Sequence, residues 1–460
     1  TSDSTAGATS INVSGTSNLG ADVTTSGTQT YSGAVTLSAN NTLTTTSNGN
    51  VSFGTTTNGA QTLSITTNGT GDVTFTDDVG GSAGLNGLTI STNDFNAVDL
   101  KVGGTISITN TGTSSEITGV IANDDTAAVF TKAGSGTLTL SGTNTYTGVT
   151  TISNGILSIS NTLALGTTAA GTTVDSGAQL TIATGLTVAE DINLSGTGVS
   201  SAGAIYSAGA ITLSGDINVV ATSTIITTGN LNFSGNVVKT SGSNATLTIS
   251  TAAQLQFENT STINATNNSL SLVLTSDSDS SGDEVIKLGA NITTNGGSLT
   301  VNKNTYLTKY IEIDSTGTSD GQVTFNGLVQ GYVENGNRII LTGSGGYYYY
   351  DSTNNTTYNS VTEDYGTVTA SGTLTSGTSI TLGDGSLSWN GTQYTWTPDH
   401  NTDVEYLIVG GGGGGGADNA GGGGGGGVRT SAIDGQISLV ASTGYTVIVG
   451  AGGRGGCEGT

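Results

Sequence analysis

A short pulse of residues recurs along most of this chain: a glycine, one or two further residues, and an apolar–polar–apolar triplet. Clear copies end at Ile108, Leu140, Ile159, Leu213, Phe233 and Val301. Alternation with a period of two predicts short β-strands that have one apolar face and one polar face. Strands this short are unstable as isolated hairpins, and no helical periodicity separates them. The chain must therefore bury its apolar faces by pairing many short strands side by side.

The spacing of the pulses predicts how these strands pair. The pulse at Gly136 is followed closely by one at Gly155, and the pulse at Gly209 is followed at a similar interval by one at Gly229. A coil of roughly 20 residues that holds two or three short strands is the unit of a β-solenoid. We therefore predict an all-β fold, with a parallel β-helix over residues 1–345. Roughly 15 coils stacked about 4.8 Å apart would form a rod about 70 Å long.

Composition argues against a globular core and against disorder. Only 33% of the residues are apolar, and 75 of the 460 are glycine, which is too little apolar material for one large core. Low hydrophobicity raises disorder as the alternative. However, only 9% of residues are charged, Pro398 is the single proline, and the Val, Ile and Leu residues recur in regular pulses. These features favour an ordered chain with a thin, repeated core.

Charge and cysteine content limit the partners and the compartment. The net charge of −24 excludes nucleic acid as a partner and disfavours anionic membranes. No stretch of 18 apolar residues is present, so no membrane-spanning helix is predicted. The single cysteine, Cys457, permits no internal disulfide, and near-absence of cysteine is common in exported bacterial chains. Methionine is absent and no leader opens the chain, which predicts a processed or internal piece of an exported protein.

The C-terminal quarter has a different organisation. We interpret 346–366, which contains a tyrosine run and an Asn/Thr run, as an irregular insert or linker. Residues 367–403 form a short β region, and 404–460 form a glycine-rich module with two polyglycine runs between strand-like segments. The chain stops inside this module, which we interpret as truncation. The predicted order is thus a solenoid, a small β region and a polyglycine-rich module.

Two groups of residues are candidates for binding. Acidic residues crowd one Ser/Gly loop and could offer oxygen ligands to Ca²⁺, although a merely solvated loop is the alternative: Asp277, Asp279, Asp283 and Glu284. The tyrosine run could stack on sugars or on a partner chain, or could cover the end of the core: Tyr347, Tyr348, Tyr349 and Tyr350. Smaller acidic pairs occur at Asp77–Asp78 and Asp124–Asp125.

No catalytic or cofactor-binding residues are predicted. The glycine runs lack the Gly-Lys-Ser/Thr signature of a phosphate-binding loop. The single histidine, His400, has no neighbouring cysteine or second histidine with which to hold zinc. The acidic clusters lack nearby aromatic residues that would hold a sugar for glycoside cleavage. We therefore predict that the chain is not an enzyme.

Several segments resemble repeats of exported bacterial proteins. Segments 27–37 (GTQTYSGAVTL), 59–65 (GAQTLSI), 71–75 (GDVTF) and 269–301 are similar to repeats of filamentous-haemagglutinin-type exoproteins. Segments 134–148 (GSGTLTLSGTNTYTG) and 150–159 (TTISNGILSI) closely resemble the passenger-associated repeat of autotransporters, and the glycine-rich end resembles modules of bacterial surface and phage tail proteins. The resemblance implies a right-handed parallel β-helix, export across the outer membrane, and a role in adhesion or matrix formation.

These features predict an extracellular adhesin or matrix rod at the bacterial cell surface. Its partners would be copies of itself or a glycan or protein receptor. The alternatives are a self-assembling subunit of a surface layer, sheath or filament, and a phage tail fibre or spike. Ice binding would require a regular Thr-x-Thr ladder, and the uneven spacing of the pulses argues against it.

Overall fold

The computed structural model confirms the predicted fold class. It describes residues 8–276, 286–309, 311–318, 321–327, 329–331, 338–343, 346–351, 367–372, 378–382, 385–389, 394–398, 401–404, 407–409, 428–430 and 437–447. The described chain is all-β, with a parallel solenoid of about 14 turns. Within these ranges the only helical element is the 3-10 turn Val199–Ser201.

A complete turn contributes a strand first to sheet 1, then to sheet 2 and then to sheet 3, and some turns have no strand in sheet 2. Sheet 1 runs through Ile11–Val13, Gln29–Tyr31, Val51–Phe53, Val73–Phe75, Phe95–Ala97, Ser115–Ile117, Thr137–Leu140, Gly155–Ile159, Ala178–Ile182, Ile205–Ser207, 223–227, Ala245–Thr251, Leu270–Ser276, Leu299–Val301 and Val323–Phe325. Consecutive strands in this order pair in parallel, because each lies directly above the strand of the preceding turn.

Sheet 3 has the same continuity, whereas sheet 2 does not. Sheet 3 contains Val23–Thr25, Asn41–Thr45, Thr62–Thr66, Leu85–Thr92, 105–110, Val129–Ala133, Thr150–Ile152, Thr172–Val174, Ile192–Gly196, 217–219, Val237–Lys239, Thr262–Ala265, Asn291–Thr293, Ile311–Asp314 and Arg338–Gly343. Sheet 2 contains Ser17–Leu19, Val35–Leu37, Thr57–Asn58, 100–102, Ile121–Asn123, Thr187–Val188, Ile211–Leu213, Leu231–Phe233, Leu255–Phe257, Ile286–Leu288, Thr305–Leu307 and Val329–Gly331. Leu100–Asn110 and Ile217–Thr227 are single long strands that cross from one sheet to the next.

The core lies inside the three sheets, and each coil contributes one layer of inward side chains to it. In Val73–Phe75, for example, both apolar side chains are buried while Thr74 is half-exposed. Inward aromatic rings stack from coil to coil, with centroids 5.3 Å apart for Tyr31 and Phe53, and 4.7 Å apart for Phe233 and Phe257. Each coil therefore buries its apolar residues mainly against the coils directly above and below it.

The corners between sheets absorb differences in coil length. Ile11 pairs with Gln29 in a short coil, and Leu272 pairs with Leu299 in a much longer one, while the sheet register continues through both. Glycine is needed where corners stack closely, because a Cβ on Gly49 would collide with the backbone of Gly27 one coil below.

Asparagine and aspartate side chains join the corners of successive coils. Asn50 accepts a hydrogen bond from the Asp72 backbone N–H at 2.9 Å, and the Asp72 carboxylate accepts one from the Asp94 N–H at 3.0 Å. The Asp94 carboxylate in turn accepts from the Ser114 N–H at 2.9 Å. A second file of the same kind joins Asp191, Asp216, Asn236 and Thr262. These side chains satisfy backbone donors that the strands leave unpaired at the turns.

Antiparallel strands continue sheets 1 and 3 at the C-terminal end of the solenoid. Arg338–Gly343 pairs with Gly346–Asp351, which pairs with Thr367–Gly372. Val323–Phe325 makes one parallel pairing with Thr378–Leu382, and an antiparallel series continues from there through Gly385–Trp389, Tyr394–Pro398 and Tyr445–Val447. Two further pairs join Thr402–Val404 to Ile437–Leu439, and Leu407–Val409 to Val428–Thr430.

The segment interpreted as an insert or linker, 346–366, thus begins with a strand, because a run of aromatic residues suits a β-strand. Residues 352–366 of that segment lie outside the described residues.

Candidate functional site

The outer surface of sheet 3 carries two parallel files of hydroxyl groups in register. The first file runs one coil at a time through Thr42, Ser64, Thr89, Ser107, Thr131, Thr151 and Thr173. The second, two residues further along each strand, runs through Thr44, Thr66, Ser91 and Thr109. All of these side chains are exposed or half-exposed. We call this surface the hydroxyl face.

The hydroxyl face is uncharged, in a chain whose net charge is −24. Strands in register place equivalent hydroxyls about 4.8 Å apart along the solenoid and about 6.6 Å apart along each strand. Beyond Thr173 the first file changes to Asn193, Asn218 and Val238. The outward file of sheet 1 is interrupted earlier by Asn96 and Glu116. The uniform array is therefore a feature of one face over the N-terminal half of the solenoid.

Sheet 2 is interrupted next to this face. In the stretch 124–186, which is fully described, sheet 2 has no strand. The buried side chain of Asn144 joins three coils there: its amide oxygen accepts from the Ile121 N–H at 2.8 Å, and its amide nitrogen donates to the Ala164 carbonyl at 2.5 Å. One side chain thus replaces hydrogen bonds that a strand would have made.

A file of buried polar side chains lies inside the solenoid beside this interruption. The hydroxyls of Tyr146 and Thr150 are 2.5 Å apart, and Thr150 pairs with Thr172 across sheet 3. The Thr172 hydroxyl donates to the carboxyl of Glu190 at 3.5 Å. Burial raises the pKa of Glu190 to about 7, the charge of Asp191 also acts to raise it, and the Thr172 hydrogen bond opposes both. Burial also raises the pKa of Tyr146 above its ordinary range.

Two lysines of the described chain are buried with backbone carbonyls as their hydrogen-bond acceptors. Both side chains are 0% exposed. The Lys132 ammonium donates to the carbonyls of Ala133 at 2.8 Å, Gly134 at 3.0 Å and Asn154 at 3.3 Å. Lys239 donates in the same way to three carbonyls, those of Val219, Val220 and Ser241. Burial lowers the pKa of Lys132 to about 8 and also lowers the pKa of Lys239.

The predicted binding residues fall mostly outside the described residues. The Ca²⁺ candidates Asp277, Asp279, Asp283 and Glu284 lie in the gap at 277–285, and His400 also lies outside. The backbone of Tyr347, Tyr348, Tyr349 and Tyr350 belongs to the strand Gly346–Asp351. Of the smaller acidic pairs, Asp124 forms an ion pair with Lys101 at 2.8 Å, and Asp77 accepts from the N–H of Asp78.

No helix among the described residues has the length and hydrophobicity needed to cross a membrane. Nor do three His, Cys, Asp or Glu side chains of the described ranges lie close enough together to hold a metal ion.

Sequence reasoning missed the buried polar groups, although one signal was available. Alternation in the strand Val129–Ala133 places Phe130 and Lys132 on the same inward face. The same pattern places Lys239 inward with Val237. No comparable signal marks Asn144 or Glu190, because both lie between strands.

Two segments of the chain match known protein families. Residues 130–159 match the passenger-associated-transport-repeat, and residues 387–460 match a glycine-rich domain, which starts earlier than the module predicted at 404–460. Neither a curated protein nor a solved structure matches significantly. The repeat contains Lys132, Asn144 and Tyr146, so its residues build the coil at the interruption of sheet 2. The repeat and the solenoid together fit an extracellular autotransporter passenger. The resemblance to haemagglutinin-type repeats stays a prediction.

Proposed function

We propose that this chain is a non-enzymatic adhesin or matrix rod at the bacterial cell surface, and that the hydroxyl face binds neutral polysaccharide. The observation that carries the proposal is the register of this face over seven coils, from Thr42 to Thr173. Hydroxyl groups both donate and accept hydrogen bonds, so a regular array can meet the hydroxyls of an extended glycan chain at many points. Many weak contacts along one polymer add up to useful avidity.

Charge supports a neutral ligand. The net charge of −24 repels acidic polysaccharides over distances of about 8–10 Å at moderate salt. The hydroxyl face itself presents no charge, so a neutral glycan meets neither attraction nor repulsion there. We therefore place uronic-acid and sulfated polymers outside the set of ligands.

A non-catalytic role is supported by the location of the chemically unusual groups. The side chains whose pKa values burial shifts lie inside the solenoid: Tyr31, Tyr146, Glu190 and the two buried lysines. A substrate on the outer surface would not reach them. Their contacts instead join one coil to the next, which is a structural task.

Self-assembly by end-to-end stacking is the alternative function, as for a surface layer, filament or tail fibre. An uncovered solenoid end offers unpaired strand edges to another copy. At the C-terminal end, however, Arg338–Gly343 and Val323–Phe325 already pair with further strands of the same chain. This pairing disfavours stacking at that end.

Binding of the purified chain to immobilised polysaccharides tests the proposal. Neutral polymers should retain the chain, and their polyanionic counterparts should not. Thr89→Glu combined with Thr131→Glu places two charges on the hydroxyl face and should abolish retention, whereas Thr74→Glu on sheet 1 should leave it unchanged. Two results would contradict the proposal. One is equal retention of the wild type and both variants, and the other is that no neutral polymer retains the wild type.

A further inference from the structure

Glu190 is a buried carboxyl group that forms no ion pair with any cation of the described chain. It lies just before the strand Ile192–Gly196 and is 5% exposed. Its carboxyl faces the Thr172 hydroxyl of the coil below, and beyond it the Tyr146 ring of the coil below that one. The coil above packs closely, because a Cβ on Gly215 would collide with the Glu190 carbonyl.

The titratable groups that interact electrostatically with Glu190 are acidic. Asp191, the next residue in the chain, raises the pKa of the Glu190 carboxyl through its negative charge. From the coil above, Asp216 donates its backbone N–H to the Asp191 carboxylate at 2.8 Å. From below, Tyr146 is a weak acid whose pKa is raised by burial and by Glu190. Since none of these groups is a cation, ionisation of Glu190 adds an uncompensated charge to the core.

The coils below Glu190 lack a strand in sheet 2. Sheet 2 has no strand between Asn123 and Thr187. On that side, two successive coils are held by the side chain of Asn144 and by isolated backbone hydrogen bonds, such as the one from the Thr167 N–H to the Tyr146 carbonyl at 2.9 Å. Large apolar side chains are partly exposed here, with 40% of Val129, 36% of Val149 and 44% of Leu163 accessible. Regions with fewer backbone pairs and exposed apolar groups open locally at lower cost than the whole chain unfolds.

We propose that Glu190 is a proton-dependent lock on the coils that contain and follow the passenger-associated repeat. With its carboxyl protonated, Glu190 remains in the core, and the buried polar side chains of Tyr146, Thr150 and Thr172 keep their contacts. When the carboxyl loses its proton, the charge drives the coils from 144 to 194 to open locally, while the coils on either side remain stacked. The solenoid thus contains one segment whose order depends on the pH outside the cell.

The direction of the effect follows from the two pKa values of this carboxyl. In the folded chain the pKa of Glu190 is raised to about 7, from an ordinary value of 4.5. Such a group contributes its stability in full below pH 4.5 and loses it as the pH rises through 7, because between these values the folded state binds more protons than the open state. Over that interval the opening equilibrium should rise about tenfold per pH unit, and above it the equilibrium should level off.

Hydrogen exchange followed by mass spectrometry tests this on the full chain, with rates corrected for intrinsic exchange at each pH. Between pH 6 and pH 8, protection within 144–194 should fall about tenfold, whereas protection within 211–257 should not change. Glu190→Gln keeps the shape of the side chain without its charge, and should remove the pH dependence. Glu258→Gln, in a later coil, should leave it as in the wild type.

Two results would overturn the proposal. One is that protection within 144–194 of the wild-type chain does not change between pH 6 and pH 8. This measurement uses the wild type alone, so it does not depend on whether a variant folds. The other is a fall in protection that is as large in Glu190→Gln as in the wild type.

Discussion

The rings of Phe53 and Phe75 lie 4.4 Å apart between centroids and 6° from parallel, although they belong to different coils of the chain. They occupy the same position in the strands Val51–Phe53 and Val73–Phe75, which pair directly. The next coil adds Phe95, whose ring meets Phe75 edge-on, with centroids 6.2 Å apart and planes at 76°. In these coils, one aromatic ring per coil therefore bridges neighbouring layers of a core that no single coil could form.

Removing a ring from the middle of this stack should weaken three coils together. Phe75→Ala is expected to lower the free energy of unfolding by about 3–5 kcal/mol, because it deletes a buried side chain and leaves a cavity. Phe75→Leu, which keeps most of the volume, should cost less. Urea unfolding of the two variants measures the difference. Equal stability of Phe75→Ala and the wild type would show that the stack does not hold the coils together.

Glycine at a tightly stacked corner should be harder to replace than glycine at an open one. Gly155 and Gly177 both have positive φ values, +68° and +88°. Alanine at either position should cost about 1–2 kcal/mol for the left-handed conformation. A Cβ on Gly155 would also collide with the carbonyls of Gly134 and Gly136, whereas nothing lies within 4 Å of one on Gly177. Thermal unfolding should therefore show about 1–3 kcal/mol more loss for Gly155→Ala, and the reverse order would contradict the packing.

Much of the fold could be predicted from the sequence because the signal is local. The strands Thr137–Leu140, Gly155–Ile159 and Leu299–Val301 lie where the alternating pulses predicted them. The recurrence of such strands, two or three to a coil, was enough to indicate a solenoid.

The surface register and the buried polar groups could not be predicted in the same way. Alignment of Thr89 with Ser107 depends on how much chain each corner absorbs, and the coils differ in length. Charged residues are ordinarily exposed, so the inward position of Lys132 runs against the general expectation. The sequence does not distinguish Asn144 from other asparagines between strands, and only the stacking of three coils gives its amide both partners.

The amide of Asn144 should be worth more than an ordinary surface hydrogen bond. Asn144→Ala leaves the Ile121 N–H and the Ala164 carbonyl unpaired at a buried site, which should cost about 2–4 kcal/mol. Asn12→Ala removes an exposed amide from a strand and should change stability by less than about 0.5 kcal/mol. Urea unfolding of both variants measures the contrast. A cost for Asn144→Ala as small as that of Asn12→Ala would mean that water replaces the amide.

The buried lysines should make the chain more stable as the pH rises above 8. The pKa of Lys132 is lowered to about 8 in the folded chain, from an ordinary value of 10.5. Between these values the unfolded chain binds more protons than the folded chain, so the free energy of unfolding should increase with pH; below pH 8 the penalty of the buried charge is complete.

Melting temperatures measured from pH 8 to pH 9.5 test this effect, since tyrosine ionisation becomes important only above that range. The wild type should show a rising melting temperature. Lys132→Met removes one of the two titrating groups and should reduce the slope, and the further change Lys239→Met should reduce it again. If the double variant keeps the full slope, groups other than these two lysines cause the pH dependence of the melting temperature.

Electron microscopy of the purified chain tests the central claim most directly. About 14 turns at about 4.8 Å per turn predict isolated rods whose solenoid is about 70 Å long, with the glycine-rich end at one tip. Such rods, monomeric at increasing concentration, are the predicted result. Long filaments or sheets with a regular axial repeat would contradict the account of a single stiff rod, and would make self-assembly the function of the solenoid.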